Sequence, residues 1–315
     1  MPEPSTDTPT HIARRSLLAQ LDKTVYQLGK RRRSDASVHN IRKELKRARA
    51  AIRMIRECMG IMEYRHDNAL LREAARPLTP IRDAKVLLQT LEQLDSKKGT
   101  GRRGFLARFQ KLLEAKRRVA RLQLRPAELI AAARVLRGVR RRAATLPESR
   151  LAKPHPRGLE HAFKKARAAF AVARQRGTDE SLHEWRKQTK YFANQLEMVA
   201  PFGSKLFEKS HAQAKQLADW LGEDHDLAIL REQIYEHAKG EDAPAVNREV
   251  RELIGGVTRR RKKLQRWSWG VACIAAGPHV IGLSRAWVFL RAPVRTLPRQ
   301  EGARTHPVSL PTSDR

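Results

Sequence analysis

A histidine and four basic residues follow one another at helical spacing early in the chain: His39, Arg42, Lys46, Arg49 and Arg53. At about 100° per residue on an α-helix, these side chains fall within about 80° of arc. The row is about 21 Å long, because each residue advances the helix by about 1.5 Å. Arginine binds phosphate oxygens through two parallel N–H groups, and lysine adds point charge. The spacing therefore predicts a site for an extended phosphate chain rather than for one small anion.

The helix that carries this row also has a face for packing. Its apolar residues fall between about 160° and 240° from the histidine, and they are Ile41, Leu45, Ala48, Ile52 and Ile55. Like charges four residues apart on a helix repel each other by a few tenths of a kcal/mol. A solvated charged face is the alternative interpretation, but such a face more often interleaves Glu with Lys or Arg. The row is thus predicted to be a binding face beside a core face.

The same pattern returns 144 residues later, which indicates an internal duplication. The first copy reads SDASVHNIRK from Ser34, and the second reads TDESLHEWRK from Thr178. His183, Arg186 and Lys190 repeat the first three positions of the row. The positions identical in both decapeptides are Asp35 and Asp179, Ser37 and Ser181, His39 and His183, Arg42 and Arg186, and Lys43 and Lys187.

The two copies differ at the far end of the row. Ala193 and Glu197 occupy the positions that Arg49 and Arg53 hold in the first copy. The second copy is therefore expected to bind anions less strongly than the first.

Each of the two histidines lies near the start of its helix. Asp35 and Asp179 are the expected N-caps. The helix dipole and the neighbouring cations disfavour a charged imidazolium. We therefore expect both histidines to be mostly neutral in the free protein and to take up protons when a polyanion binds.

A second and weaker sequence repeat aligns Asp83 with Asp226, which lie 143 residues apart. We expect both aspartates to pair with cations borne on helices and to orient them. A metal-dependent phosphohydrolase is the alternative, because His225-Asp226, with Asp224 and the two row histidines His39 and His183, are residue types that bind metals. However, no set of spaced acids accompanies the row, and the row itself would repel a cation. We expect no catalytic residue, no metal and no cofactor in a protein that is not an enzyme.

The chain as a whole is predicted to be all-α, because helix-forming residues dominate and few alternating apolar–polar runs occur. The duplication predicts two similar four-helix bundles. The segment LPESRLAKPHPRG, residues 146–158, is the predicted linker because it holds three prolines and a glycine. The other predicted divisions are a disordered N-terminus over 1–10, a first bundle over 11–145, a second bundle over 159–266 and a divergent or disordered tail over 267–315. Among the predicted helices are 11–32, 36–64, 203–222, 224–239 and 244–266.

The charge balance indicates the class of partner. The sequence has 65 Lys and Arg against 33 Asp and Glu, a net charge of +32, and a pI near 11.2. Such a field favours polyanions and argues against cationic ligands. Cys58 and Cys273 are too few for a disulfide framework or a four-thiolate zinc site.

The expected compartment is the cytoplasm, because no signal peptide opens the sequence. Residues 267–284 contain no Lys, Arg, Asp or Glu. No membrane span is expected there, since Gly277-Pro278 would break the helix.

The row motifs resemble the CHAD family, the conserved histidine α-helical domain. The resemblance is carried by VHNIRKELKRARAAIRMI over 38–55, LHEWRKQTKYFANQLE over 182–197 and LGEDHDLAIL over 221–230, with Ile81-Arg82-Asp83 as the first-repeat partner of the last. It covers roughly residues 11–266. The resemblance implies two helical bundles related by pseudo-twofold symmetry, with basic residues lining a groove or pore between them. It also implies binding of inorganic polyphosphate and, often, association with polyphosphate granules.

The predicted polyphosphate-binding residues form two groups. The first group lies on the two rows and comprises His39, Arg42, Lys46, Arg49, Arg53, His183, Arg186 and Lys190. The second group lies beside them and comprises Lys43, Arg47, Arg82 and Lys187.

Nucleic acid is the alternative partner, because net charge alone gives salt-sensitive binding that is independent of sequence. The rows lack interleaved aromatic residues, so single-stranded bases have no evident surface on which to stack. We find no helix-turn-helix, zinc-finger or RNA-recognition signature. Inorganic polyphosphate therefore remains the predicted partner.

Overall fold

The structure, a computed structural model, describes residues 8–30, 34–95, 104–152, 157–202, 205–240 and 243–276. Within these ranges all regular secondary structure is helical, which confirms the all-α prediction. The α-helices are α1 Pro9–Gly29, α2 Asp35–Met54, α3 Arg56–Met59, α4 Ile61–Ala74, α5 Thr79–Asp95, α6 Phe105–Leu122, α7 Pro126–Ala144, α8 Glu148–Leu151, α9 Arg157–Arg176, α10 Asp179–Val199, α11 Lys205–Ala238 and α12 Pro244–Ala276. Single 3-10 turns cover Arg76–Leu78 and Ala200–Phe202.

Matching side-chain caps begin the two helices that carry the basic rows. Ser34 Oγ accepts a hydrogen bond of 3.1 Å from the backbone N–H of Ser37 and begins α2. Thr178 Oγ1 accepts one of 3.3 Å from the N–H of Ser181 and begins α10. The prediction of an aspartate cap is therefore wrong by one residue, because a preceding hydroxyl takes that role in each helix.

The two aspartates instead bind arginines from later helices. Asp35 is ion-paired with Arg121 of α6, and Asp179 Oδ1 lies 2.5 Å from Arg261 Nη2 of α12. Arg117 Nη1 also lies 3.4 Å from Asp35 Oδ2. Residues 117 and 261 are separated by 144 positions, as are residues 35 and 179. Equivalent ion pairs thus hold the start of each row-bearing helix.

The largest hydrophobic core contains side chains from both predicted halves. Helices α2 and α10 cross beside it, and Gln195 Nε2 donates a hydrogen bond of 3.0 Å to the Ala50 carbonyl at the crossing. The core includes Leu17, Leu45, Leu136, Leu196 and Phe207. The duplication and the divisions at 11–145 and 159–266 remain predictions.

A second core lies between the α5–α6 pair and the α11–α12 pair. It includes Phe105, Phe109, Leu230 and Val257. Glu249 of α12 accepts hydrogen bonds of 2.9 Å from the backbone N–H groups of Phe105 and Leu106. A carboxylate there satisfies amides that the first turn of α6 leaves free, and it complements the helix dipole.

Two predicted helix boundaries differ from the structure: one break was not predicted, and one predicted break is absent. The predicted helix 36–64 is wrong, because α2 ends at Met54 and Gly60, with φ of 88°, separates α3 from α4. The predicted pair 203–222 and 224–239 is one helix, α11, which runs through Gly222 without a break.

The last described helix extends past its predicted end at 266. It reaches Ala276, because Trp269 and Ala272 pack on the core of α10. The ring of Trp269 stacks on that of Trp185, with 4.8 Å between the centroids. The rest of the predicted tail, 277–315, lies outside the described residues. Among the described helices, none combines the length and apolarity needed to cross a membrane.

The predicted linker, 146–158, is partly helical and is attached to the N-terminal helix. Leu151 of α8 is buried, and its carbonyl accepts hydrogen bonds from Thr8 Oγ1 at 3.0 Å and Thr10 Oγ1 at 2.5 Å. Because Thr8 caps α1, helix begins at Pro9, inside the segment 1–10 that is predicted to be disordered. Residues 1–7 and 153–156 lie outside the described ranges.

Helices α2 and α9 approach each other very closely at one glycine. A Cβ atom at Gly158 would lie 2.6 Å from the Cα of Met54. Since the Met54 atoms that it would meet belong to the backbone, they cannot move aside as a flexible side chain could. Only glycine fits this approach, which sets the distance between the end of α2 and the start of α9.

Candidate anion-binding site

Helices α2, α5, α10 and α11 surround a cleft of about 360 Å³, which we call the basic cleft. In its described lining, seven Lys and Arg residues face two acidic residues. The lining comprises His39, Arg42, Lys43, Lys46, Arg47, Arg82, Lys190, Ala193, Asn194, Glu197, His211, Lys215, Ala218 and Asp219. The cleft therefore brings together cations from both predicted halves of the chain.

Arg42 is fixed in the cleft by hydrogen bonds to the turn before α5. Its Nη1 donates to Thr79 Oγ1 over 2.5 Å and to the Ala75 carbonyl over 3.2 Å. Its Nε is buried and has no hydrogen-bond partner among the described residues. Arg186 of α10 also has a buried Nε without a partner among the described residues, but Arg186 and His183 lie outside the described cleft lining. Buried donors are usually satisfied, so these two Nε groups are candidates to bind an anion.

Lys46 lies among other cations, and together they form what we call the cation cluster: Lys46, Lys190, Arg82, Arg186 and Arg42. Burial, followed by the charges of Lys190 and Arg82, lowers the pKa of its ammonium to about 7. Burial and the charge of Arg186 also lower the pKa of Lys190. Both shifts result from desolvation and like-charge repulsion, and a bound anion would oppose both causes.

Two aspartates partly neutralise the cluster. Asp83 Oδ1 accepts a hydrogen bond of 3.0 Å from Arg82, and Asp226 Oδ1 lies 3.7 Å from the other guanidinium nitrogen of Arg82. Burial raises the pKa of Asp226, while Arg82 and Arg186 act in the opposite direction. These contacts agree with the expectation that both aspartates orient cations.

The histidines have pKa values below the ordinary range. Burial and then Lys85 and Lys46 lower the pKa of His39. Burial and Arg186 lower the pKa of His183, and the same two causes lower that of His225 to about 3. His183 and His225 are neighbours, with 3.3 Å between their Nδ1 atoms. Each of these shifts favours the uncharged imidazole in the free protein.

Arg49 and Arg53, at the far end of the row, do not line the basic cleft. Arg49 Nε and Arg53 Nη1 both donate to Asn68 Oδ1 of α4, over 3.3 and 3.0 Å. Arg53 also donates to the Arg49 carbonyl and lies over the ring of Tyr191. The row therefore divides into a cleft part and an outer part.

The remaining predicted residues occupy different positions. Arg47 lines the cleft but is paired with Glu197 through two nitrogens. Lys187 is paired with Glu184 of the same helix, outside the described cleft lining. Lys43 is an exposed residue at the cleft, and Arg82 lies within it.

Three cleft residues on α11 were absent from the sequence prediction. They are His211, Lys215 and Asp219, which follow one another at intervals of four residues. That spacing places them on one helix face and could have identified them. Within the described residues, no group of three or more His, Cys, Asp or Glu side chains is arranged to hold a metal ion.

Comparison with known proteins identifies a family and a structure with a similar fold. The family model of the CHAD domain matches residues 15–235. A solved structure, PptA from Streptomyces chartreusis, is similar with a TM-score of 0.62 at 14% identity, over 84% of this chain and 100% of that chain. At this identity the likeness shows the fold alone. No curated protein matches the sequence.

Proposed function

Because the chain belongs to the CHAD family, we propose that it binds inorganic polyphosphate in the basic cleft and does so without catalysis. One observation carries the proposal: Lys46 is buried beside Lys190, Arg82 and Arg186, and burial followed by the charges of these neighbours lowers its pKa to about 7. Such repulsion lowers the stability of the free protein, and a chain of phosphates relieves it.

The donors in the cleft suit a phosphate chain better than a single small anion. Within the cleft lining, Arg42 keeps a buried Nε without a hydrogen-bond partner among the described residues. Arg186, which lies outside that lining, keeps another. Charge-assisted hydrogen bonds to ionised groups contribute about 1.5 to 3 kcal/mol each. Cations from four helices can bind successive phosphates, so affinity is expected to increase with the number of phosphates in the cleft.

We also propose that the fold is a duplication of two similar four-helix bundles. The pairs Asp35–Arg117 and Asp179–Arg261 support this, because the same separation of 144 residues relates both members. The matching hydroxyl caps of α2 and α10 support it as well. In this arrangement the cleft lies beside the crossing of the two equivalent helices.

Competition binding at near-physiological salt tests the function. Long-chain polyphosphate is measured against single- and double-stranded DNA of equal total charge, since affinities for polyanions depend on salt. The double variant Arg42→Gln, Lys46→Gln is compared with Arg134→Gln, Arg137→Gln, which removes the same charge from exposed positions of α7. We expect preference for polyphosphate, lost only in the first variant. Equal competition by DNA, with both variants alike, contradicts the proposal.

Nucleic acid is the second candidate, and one surface of α12 favours it. Trp267 is 36% exposed, and Lys263 Nζ lies 4.7 Å from the centroid of its ring. Exposed aromatic rings beside cations are typical of surfaces on which bases stack. If this surface is the binding site, Trp267→Ala weakens DNA binding while the cleft variant does not.

Absence of catalysis and association with polyphosphate granules are parts of the proposal with tests of their own. Phosphate release from polyphosphate is measured with Mg²⁺, Mn²⁺ or Zn²⁺ added. Release that depends on the protein and a metal contradicts the non-enzymatic proposal. A fluorescent fusion is expected to co-localise with granules, and the cleft double variant is expected to be dispersed.

A further inference from the structure

The basic cleft is separated from a second cleft by one ion pair. The second cleft has a volume of about 260 Å³, and its lining shares Arg47, Asn194 and Glu197 with the basic cleft. Arg47 Nε donates to Glu197 Oε2 over 3.2 Å, and Nη2 donates to the other carboxylate oxygen. The two side chains are 27% and 37% exposed. The pair therefore stands at the boundary, where solvent and ligand can reach it.

The charge of the lining residues changes from the basic cleft to the second cleft. On the far side the described lining has no cation other than Arg47. The side chains there belong to Ile12, Ser16, Gln20 and Met198 as well as the shared three residues. Along α2, the basic wall from His39 to Arg47 is about 12 Å long at 1.5 Å per residue.

We propose that Glu197 ends the polyphosphate site and thereby limits the number of phosphates that one protein holds. The inference rests on the proposed function, because it concerns the length of the ligand in the same cleft. Glu197 acts in two ways. Its carboxylate repels a phosphate at the boundary, and it occupies the two guanidinium nitrogens that Arg47 would otherwise offer to phosphate.

The same position in the first predicted repeat holds the opposite charge. Residue 197 corresponds to Arg53 at the offset of 144 residues. Its acidity is therefore a local departure from the basic row. Glu184, on the same helix, is paired with Lys187 and does not line the basic cleft. It provides a control of equal charge.

The experiment measures affinity for polyphosphates of defined length, from a few to several tens of phosphates, at one salt concentration. The proteins are the full-length chain and its variants Glu197→Gln, Glu197→Ala, Glu184→Gln, Arg47→Gln and the double variant Arg47→Gln, Glu197→Gln. For the full-length chain, we expect affinity to stop rising once the ligand fills the basic cleft. In Glu197→Gln and Glu197→Ala the rise continues to longer chains. The gain for long chains is about tenfold, as one released bidentate arginine provides.

The controls separate a local effect from the loss of a negative charge. Glu184→Gln is expected to change affinity by less than about twofold at every length, because exposed pairs contribute little. Arg47→Gln alone lowers affinity, because it removes a cation from the cleft lining and leaves Glu197 without its partner. In the double variant only the part of the gain that comes from the released guanidinium is lost. Equal length profiles for Glu197→Gln and Glu184→Gln overturn the inference and leave the proposed function in place. No binding of polyphosphate by the unmodified protein overturns both.

Discussion

The guanidinium carbon of Arg53 lies 3.8 Å from the centroid of the Tyr191 ring. On the other side of the same helix crossing, Arg47 is paired with Glu197. The offset of 144 residues relates Arg47 to Tyr191 and Arg53 to Glu197, so the two contacts are counterparts. One holds its arginine by a ring and the other by a carboxylate. Both arginines therefore have a protein partner in the free state.

The first prediction concerns the two parts of the basic row. We expect Arg42→Gln, Lys46→Gln to weaken binding of short polyphosphate at least about a hundredfold, since two charge-assisted contacts of about 1.5 kcal/mol or more each are lost. The charge-matched variant Arg49→Gln, Arg53→Gln is expected to weaken it less than about threefold, because both arginines bind Asn68. Titration calorimetry at fixed salt measures both. Equal losses would show that the outer part of the row also contacts the ligand.

The second prediction is a pH dependence of binding. Lys46 has a pKa of about 7 in the free protein, and a bound polyanion raises it. Above pH 7 binding must take up a proton, so affinity falls as pH rises, by up to about tenfold per pH unit for one proton. Below pH 7 the lysine is already charged and this contribution is absent. Calorimetry between pH 6 and 9, in buffers of different ionisation enthalpy, measures the uptake.

Lys46→Arg is the control for that measurement, because arginine stays protonated across the range. Its affinity is expected to depend less on pH between 7 and 9 than that of the unmodified protein. An unchanged pH profile in Lys46→Arg would assign the proton uptake to other groups, such as Lys190 or His183.

The third prediction separates stability from binding. Lys46→Met is expected to raise the free energy of unfolding by about 1 kcal/mol or more, because it removes a buried charge among like charges. The folded pKa of Lys46 lies below its ordinary value of 10.5, so its destabilising effect is complete below pH 7 and disappears as pH approaches 10.5. Thermal unfolding at pH 6 and pH 9 measures the difference. A less stable variant at pH 6 would contradict the described repulsion.

The fourth prediction concerns a structural ion pair remote from the cleft. Asp67 of α4 is fully buried, and Arg142 of α7 donates to it from Nη2 over 2.5 Å and from Nε over 3.0 Å. Arg142→Gln leaves a buried carboxylate without its cation and is expected to cost about 3 kcal/mol. Arg141→Gln, an exposed neighbour with the same charge change, is the control. Urea unfolding that gives the two variants equal stability would contradict this role for the pair.

Much of the site could be predicted from the sequence, for a physical reason. Helical spacing alone places Arg42 and Lys46 on one face, and the repeated motif indicates that Arg186 and Lys190 occupy an equivalent face. The meeting of Arg42, Lys46 and Lys190 in one cleft needs the approach of α2 and α10, which the spacing within either helix does not contain.

The position of the outer part of the row could not be predicted from helical spacing. Arg49 and Arg53 have the same spacing as the cleft residues, but the packing of α4 brings Asn68 to them. That contact depends on tertiary structure and has no local signal. The end of α12 is a similar case: Trp269 continues the helix by stacking on Trp185, a residue far away in the sequence.

The close approach at Gly158 has a consequence for how this protein can be perturbed. One added methyl group, in Gly158→Ala, would push the end of α2 away from α9 without altering any charge. The substitution is thus a purely geometric probe. If binding depends on the spacing of helices as well as on their cations, this neutral residue outside the cleft lining is a position through which evolution or design can tune affinity.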